Sequence, residues 1–269
     1  MNAFNKIYQY INILSLDVVA GAVICSLFFE RIFEAPVSLY ALGALGLTVW
    51  IIYTIDHLRD AMIIPKPAST DRHRFHQQNF IVVLIILVVV ILIDFVMISY
   101  VPIRVSGYGF VLGLLVVVYL VFQRYLKFLK EILVACLYTG GILLPSLAIT
   151  EWDLQPVHYI LIGQFCITAL INLLLFSLFD YEQDRHHEQH SFVTWFDLSS
   201  TRKGILVLGL LNILCCMWLW SFNYKVAIIF MLMNIMLLTI LLFQKHFVSN
   251  NYYRIIGDAI FFIPMFYLL

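Results

Sequence analysis

Apolar runs of close to 20 residues, parted by short polar breaks, recur from one end of the chain to the other and leave it few folds. Crossing the hydrocarbon core of a bilayer takes about 20 mostly apolar helical residues. A helix satisfies its own backbone polar groups there, which an irregular segment cannot do. Nine runs qualify: Ile11 to Phe29, Val37 to Ile55, Phe80 to Tyr100, Tyr108 to Phe122, Ile132 to Ile149, Tyr159 to Phe179, Gly204 to Trp220, Val226 to Phe243 and Ile255 to Leu269. The chain is 63% hydrophobic and 12% charged, whereas a soluble domain is about half apolar and a quarter charged. It reads as an all-α polytopic membrane protein.

Several function classes are excluded early. The formal net charge is zero, so the basic surface that nucleic acid requires is missing. Cys25, Cys136, Cys166, Cys215 and Cys216 all sit in apolar runs without a C-x-x-C pair, and read as small hydrophobes. The opening residues lack the basic-then-apolar pattern with a small-residue cleavage site, so the first run is expected to remain as a helix.

Lys and Arg set the orientation, because they are retained on the cytoplasmic side. Arg31, Arg104 and Lys225 fall in the links on one side; the other 13 of the 16 fall on the opposite side. That bias puts the N-terminus and all the long connections in the cytoplasm.

Two of those connections begin with the same pattern. Tyr53-Thr-Ile-Asp-His-Leu-Arg-Asp60 closes the second run, and Phe179-Asp-Tyr-Glu-Gln-Asp184 closes the sixth. Residues i and i+4 share a helix face, so Asp56 with Asp60, and Asp180 with Asp184, each aim two carboxylates into one space. Paired carboxylates repel and are costly to desolvate unless a cation lies between them. With phosphate oxygens as further ligands, such pairs suit Mg²⁺. The runs they close lie four helices apart, so both run in the same direction, as in a parallel repeat. Both pairs are therefore expected at one central cavity, open to the cytoplasmic side and surrounded by about nine transmembrane helices. The whole chain, 1–269, forms one domain, capped by cytoplasmic loops 61–79 and 181–203. Loops of that length are commonly lids or binding loops.

In topology over nearly the whole chain, and in sequence at Asp56 to Asp60 and Asp180-Tyr-Glu-Gln-Asp-Arg185, the chain resembles the UbiA superfamily of intramembrane prenyltransferases. The resemblance implies transfer of a prenyl group from an isoprenyl diphosphate to an aromatic or other lipophilic acceptor. It implies Mg²⁺ held by Asp56, Asp60, Asp180 and Asp184, and a bundle open sideways to lipid in a bacterial cytoplasmic (inner) membrane. Lys127 resembles a basic residue that contacts diphosphate in the family. Ile52 and Phe176 stand four residues before each motif, the first where the family usually has Asn, and His190 stands where many members have Lys.

The residues themselves extend this list. Arg59, Lys66, Arg72, Arg74, Arg124, Lys127 and Arg185 form the pool from which a diphosphate clamp is drawn; Lys127, Arg59, Arg72, Arg124 and Arg185 are its candidates. Intramembrane acids need a reason to be there: Asp17 and Asp258 reach either the headgroups or the cavity, as acceptor-binding groups or a base, while Asp94 reads as structural. Tyr53 and Phe176, on the motif faces, are placed to shield an allylic cation. His73, His76, His186, His187 and His190 form a rival metal-binding constellation, but it would leave the Asp pairs unexplained. A transporter is the alternative from another class; it should carry polar residues through to the far side, where only Asn172 and Asn212 are candidates.

Overall fold

The structure is a computed structural model that describes residues 9–64, 66–68, 70–123, 125–186, 191–248 and 252–269, and only the backbone of Gln183, Asp184 and His186. Every regular element among the described residues is helical. The membrane helices are α1 (Leu16–Ile32), α2 (Leu39–Ile63), α4 (Phe80–Ile98), α5 (Ile103–Phe122), α6 (Leu129–Ile149), α7 (Pro156–Phe179), α10 (Leu198–Leu219) and α11 (Tyr224–Leu242). All but α1 are long and apolar enough to cross a bilayer, which makes seven among the described residues; α1 has 17 residues. Between them lie short helices: α3 (Asp71–Gln78), α8 (Tyr181–His186), α9 (Phe192–Phe196) and α12 (Gln244–Val248).

The ninth run differs from expectation. It divides into α13 (Tyr252–Ala259), a 3₁₀ turn over Ile260–Phe262, and α14 (Met265–Leu268). Pro264 precedes α14 and lacks the N–H that a continuous helix would use. The fourth run is longer than its apolar stretch, because α5 takes in Arg104 and Ser106 near its start. The described residues of the cap segments 61–79 and 181–203 are largely helical; α10 begins at Leu198, where Asp197 caps it by accepting from the Ser200 N–H at 2.8 Å.

The motif helix α2 starts where Ser38 Oγ accepts the Ala41 N–H at 3.2 Å. It runs eight residues past the expected end at Ile55, so its last two turns carry both aspartates. Ile64, the residue before Pro65, is extended at φ −71°, ψ 134°, as a residue before proline prefers.

Helix α7 is the axis of the bundle, packing against α6, α10, α11 and α13. Phe28, Phe29, Phe33, Phe165 and Phe230 are fully buried around it. A polar layer crosses this core: Asn212 Nδ2 donates to Thr168 Oγ1 at 3.0 Å and Asn234 Oδ1 at 3.1 Å, and Gln164 Nε2 donates to the Asn212 carbonyl at 3.1 Å. Helices α4 and α5 instead expose apolar side chains along most of their length, as lipid-facing helices do. Asp94, on α4, accepts from Thr48 at 2.9 Å and ties that helix to α2.

Candidate active site

Both motif ends lie at one end of the bundle. A cavity of about 480 Å³ lies at the other end, lined by Glu34, Pro36, Pro102, Pro145 and Trp152 among others. An apolar groove of about 450 Å³ lies between α1 and α2, over Gly43 and Gly46. The motif aspartates line neither.

The first pair meets separate polar partners. Asp56 accepts a hydrogen bond from Gln123 at 3.2 Å, just past the end of α5. Asp60 lies 3.6 Å from His73 Nε2 on α3. Between them on α2, His57 is buried and hydrogen-bonded to Ser15 Oγ at 3.1 Å. Ser15 holds a left-handed conformation, φ 55°, at the turn into α1. The first motif, α1 and the cap helix α3 are thereby joined.

Arg72 completes that joint. Its guanidinium donates to the Asn12 carbonyl at 3.3 Å and to Asn12 Oδ1 at 3.0 Å, and Asn12 Nδ2 donates to Asp17 at 2.7 Å. Burial and the charge of Arg254 hold Arg72 below the ordinary arginine range, against the pull of Asp258, Asp17 and Tyr53. Two guanidiniums, Arg72 and Arg254, and two buried carboxylates, Asp17 and Asp258, thus share one local field.

The second motif is reached through Arg254. Asp180 caps the end of α7 and is buried. Tyr253 donates to its Oδ1 at 2.5 Å, and the Arg254 guanidinium pairs with Oδ2. Burial works against the charge of Arg254, but Asp180 outweighs it and holds the group above the ordinary arginine range. Phe179 stacks on Tyr253 at 4.6 Å between centroids, and Arg254 lies 5.6 Å over the Phe176 ring. In the sequence Arg254 stands out only as an orientation charge. A signal was present: Arg254 and Asp258 stand four apart, on one face of α13.

The remaining candidates scatter. Tyr53 packs partly buried against the core, its ring 6.2 Å from that of His57. Arg59 turns to the Leu120 carbonyl at 3.0 Å, on α5. Lys127 is exposed, with its ammonium 4.6 Å over the Trp195 ring on α9. Arg185 is exposed on α8. Arg124, His190 and the side chain of Asp184 lie outside the described residues. So do His187 and the side chain of His186, leaving of the rival constellation two residues of α3, His73 beside Asp60 and the buried His76. Glu131, unremarkable in sequence, is buried on α6, accepts the Phe192 N–H at 2.8 Å and anchors α9.

The bundle of helices has counterparts among solved structures. An apo UbiA homolog from Aeropyrum pernix K1 superposes with a TM-score of 0.67 at 9% identity, over 94% of this chain and 98% of that one. The chain has the UbiA fold. A UbiA homolog from Archaeoglobus fulgidus, bound to GPP and Mg²⁺, gives 0.66 at 12% identity, over 96% and 98%. The digeranylgeranylglyceryl phosphate synthase structure gives 0.55 at 12%, over 97% and 98%. No protein-family model and no curated protein matches the sequence. At these identities the UbiA-fold likeness lies in the arrangement of the helices, and the chemistry has to be argued from the residues.

Proposed function

We propose that the chain transfers a prenyl group from an isoprenyl diphosphate to an aromatic or otherwise lipophilic acceptor inside the membrane. The observation that carries this reading is electrostatic convergence. Arg72, which follows the first motif, is tied to Asn12 just before α1, and Arg254, which holds Asp180 of the second, lies on α13 packed against α1, so both cations lie at one end of the bundle. The match to a fold whose members include a homologue bound to GPP and Mg²⁺ adds support.

The donor chemistry of the motif residues fits Mg²⁺, since carboxylate oxygens are the hard ligands it prefers. Asp56, Asp60, Asp180 and Asp184 would hold it. Among the described residues no three of His, Cys, Asp and Glu gather into a ready metal site, so Asp180 has to leave Tyr253 and Arg254 to serve as a ligand. Bound there, Mg²⁺ would supply positive charge against the departing diphosphate.

The chain's own residues do the rest. Lys127, Arg59, Arg72, Arg124 and Arg185 would surround the diphosphate as hydrogen-bond donors. Tyr53 and Phe176 would turn aromatic faces toward the allylic cation. Asp17 and Asp258 would bind the acceptor or take its proton, and His190 would assist. The lipid-facing helices leave substrate tails free to arrive sideways, from a bacterial cytoplasmic membrane with the N-terminus on its inner side.

The test is release of diphosphate from a polyprenyl diphosphate by the purified protein. Asp56→Asn and Asp180→Asn are each expected to lower it by about a hundredfold, the scale of losing a charge-stabilising contact. Release that ignores both substitutions refutes the reading.

A further inference from the structure

Both oxygens of Asp180 are taken by α13, one by the Tyr253 hydroxyl and one by the Arg254 guanidinium. A carboxylate so engaged is neutralised without a metal. Arg254 meanwhile lies near a second cation: α13 packs against α1, and Asn12, just before α1, holds Arg72, with both guanidiniums partly buried. Like charges gathered in one partly buried site repel, and an anion placed between them removes the conflict. Arg72 is fixed by its two bonds to Asn12. Arg254 is held by Asp180 and by aromatic faces, which restrain a guanidinium without saturating its five donors.

We propose that Arg254 is a diphosphate-binding residue that occupies Asp180 until substrate arrives, so that a divalent cation and the guanidinium exchange places on that carboxylate. The inference rests on the prenyl-transfer reading and adds a residue to it. Asp180 turns to the cation, and Arg254, released, donates to the diphosphate alongside Arg72. Tyr253 is the positioning residue: its hydroxyl holds Asp180, and its ring, stacked on Phe179, keeps α13 against α7.

Such an exchange makes two affinities move in opposite directions. With Arg254→Gln, Asp180 loses its competitor, so Mn²⁺ alone, followed by EPR on the full-length protein in detergent, should bind about tenfold more tightly. Inorganic pyrophosphate with Mg²⁺, followed by calorimetry, should bind on the order of tenfold more weakly, as expected when a charge-assisted contact is removed. A purely structural role for Arg254 would weaken both together. Arg254→Lys keeps a charge but not the fork of donors, and decides the matter if the Gln variant does not fold. It should leave Mn²⁺ binding within about twofold of wild type and weaken pyrophosphate binding several-fold. Affinities that fall together, or stay unchanged, in the variant that folds overturn the inference while the prenyl-transfer reading stands. Wild-type protein that binds neither probe overturns both.

Discussion

A Cβ built on Gly257 would come within 2.6 Å of the Phe176 ring and 2.7 Å of Asn172 Oδ1. Helix α13 therefore lies on the side chains of α7 with none of its own at that point, and that closeness is what lets Tyr253 and Arg254 reach Asp180. Gly257→Ala puts a methyl group where the ring now is. The ring cannot simply swing aside, because Tyr253 and Arg254 flank it. Overpacking of this kind costs about 1–3 kcal/mol, so the thermal unfolding midpoint in detergent should fall. Diphosphate release should fall with it, since a displaced α13 carries Arg254 away from the place where it would meet the diphosphate.

Trp195 offers a milder perturbation. Its ring lies 4.6 Å from the Lys127 ammonium, and Lys127 itself has a positive φ of 48° at the entry to α6. A cation–π contact at an exposed site is worth about 0.5–1 kcal/mol. Trp195→Ala should raise KM for the prenyl diphosphate about two- to fivefold and leave kcat nearly unchanged, because it loosens Lys127 without removing it. Lys127→Met should raise KM further. Steady-state kinetics on the two variants checks the order.

The difference between what could and could not be read beforehand has a physical source. The membrane runs were legible because a bilayer demands some 20 apolar residues in succession, whatever the neighbours. Asp56 and Asp60 were legible because their spacing is a property of a single helix. Arg254 was not, since pairing with Asp180 depends on how α13 meets α7, some 70 residues apart in sequence. A loop arginine on the cytoplasmic side already has an explanation as an orientation charge. The polar layer was hidden for the same reason: Asn212, with Gln164, Thr168 and Asn234, lies in separate apolar runs, and only the relative rotation of three helices brings them together. The break at Ile260–Phe262 left no mark in hydropathy at all.

That layer gives a prediction about stability alone. Asn234 donates to Thr168 at 3.2 Å and to the Phe230 carbonyl at 2.8 Å, and accepts from Asn212. Interhelical hydrogen bonds within a membrane are worth about 0.6–2 kcal/mol. Asn234→Leu should lower unfolding stability in mixed micelles by an amount in that range. Thr168 precedes Asp180 by twelve residues, about 18 Å along a helix, so KM and kcat should stay at wild-type values. A large loss of activity in a folded Asn234→Leu variant would tie the layer to the site instead.

The cap over the first motif should make stability depend on pH. His76 is buried, donates from Nδ1 to the Arg72 carbonyl at 2.9 Å, and lies 5.1 Å from the His57 ring. Burial lowers its pKa from the ordinary histidine range; the bond to the Arg72 carbonyl opposes this, and the charges of Arg72 and His73 reinforce it. The folded protein thus resists a proton that the unfolded chain accepts near pH ~6.5. Below that pH the unfolded state binds more protons, so stability falls as pH falls; above it this group contributes no slope. The slope from one such group is at most about 1.4 kcal/mol per pH unit. His76→Gln should therefore flatten the decline in unfolding free energy between about pH 6.5 and 5 without altering the plateau's slope above it, whatever the substitution does to absolute stability. Denaturant unfolding of wild type and variant across that range measures the difference, and parallel curves would mean that α3 opens to admit the proton before the bundle unfolds.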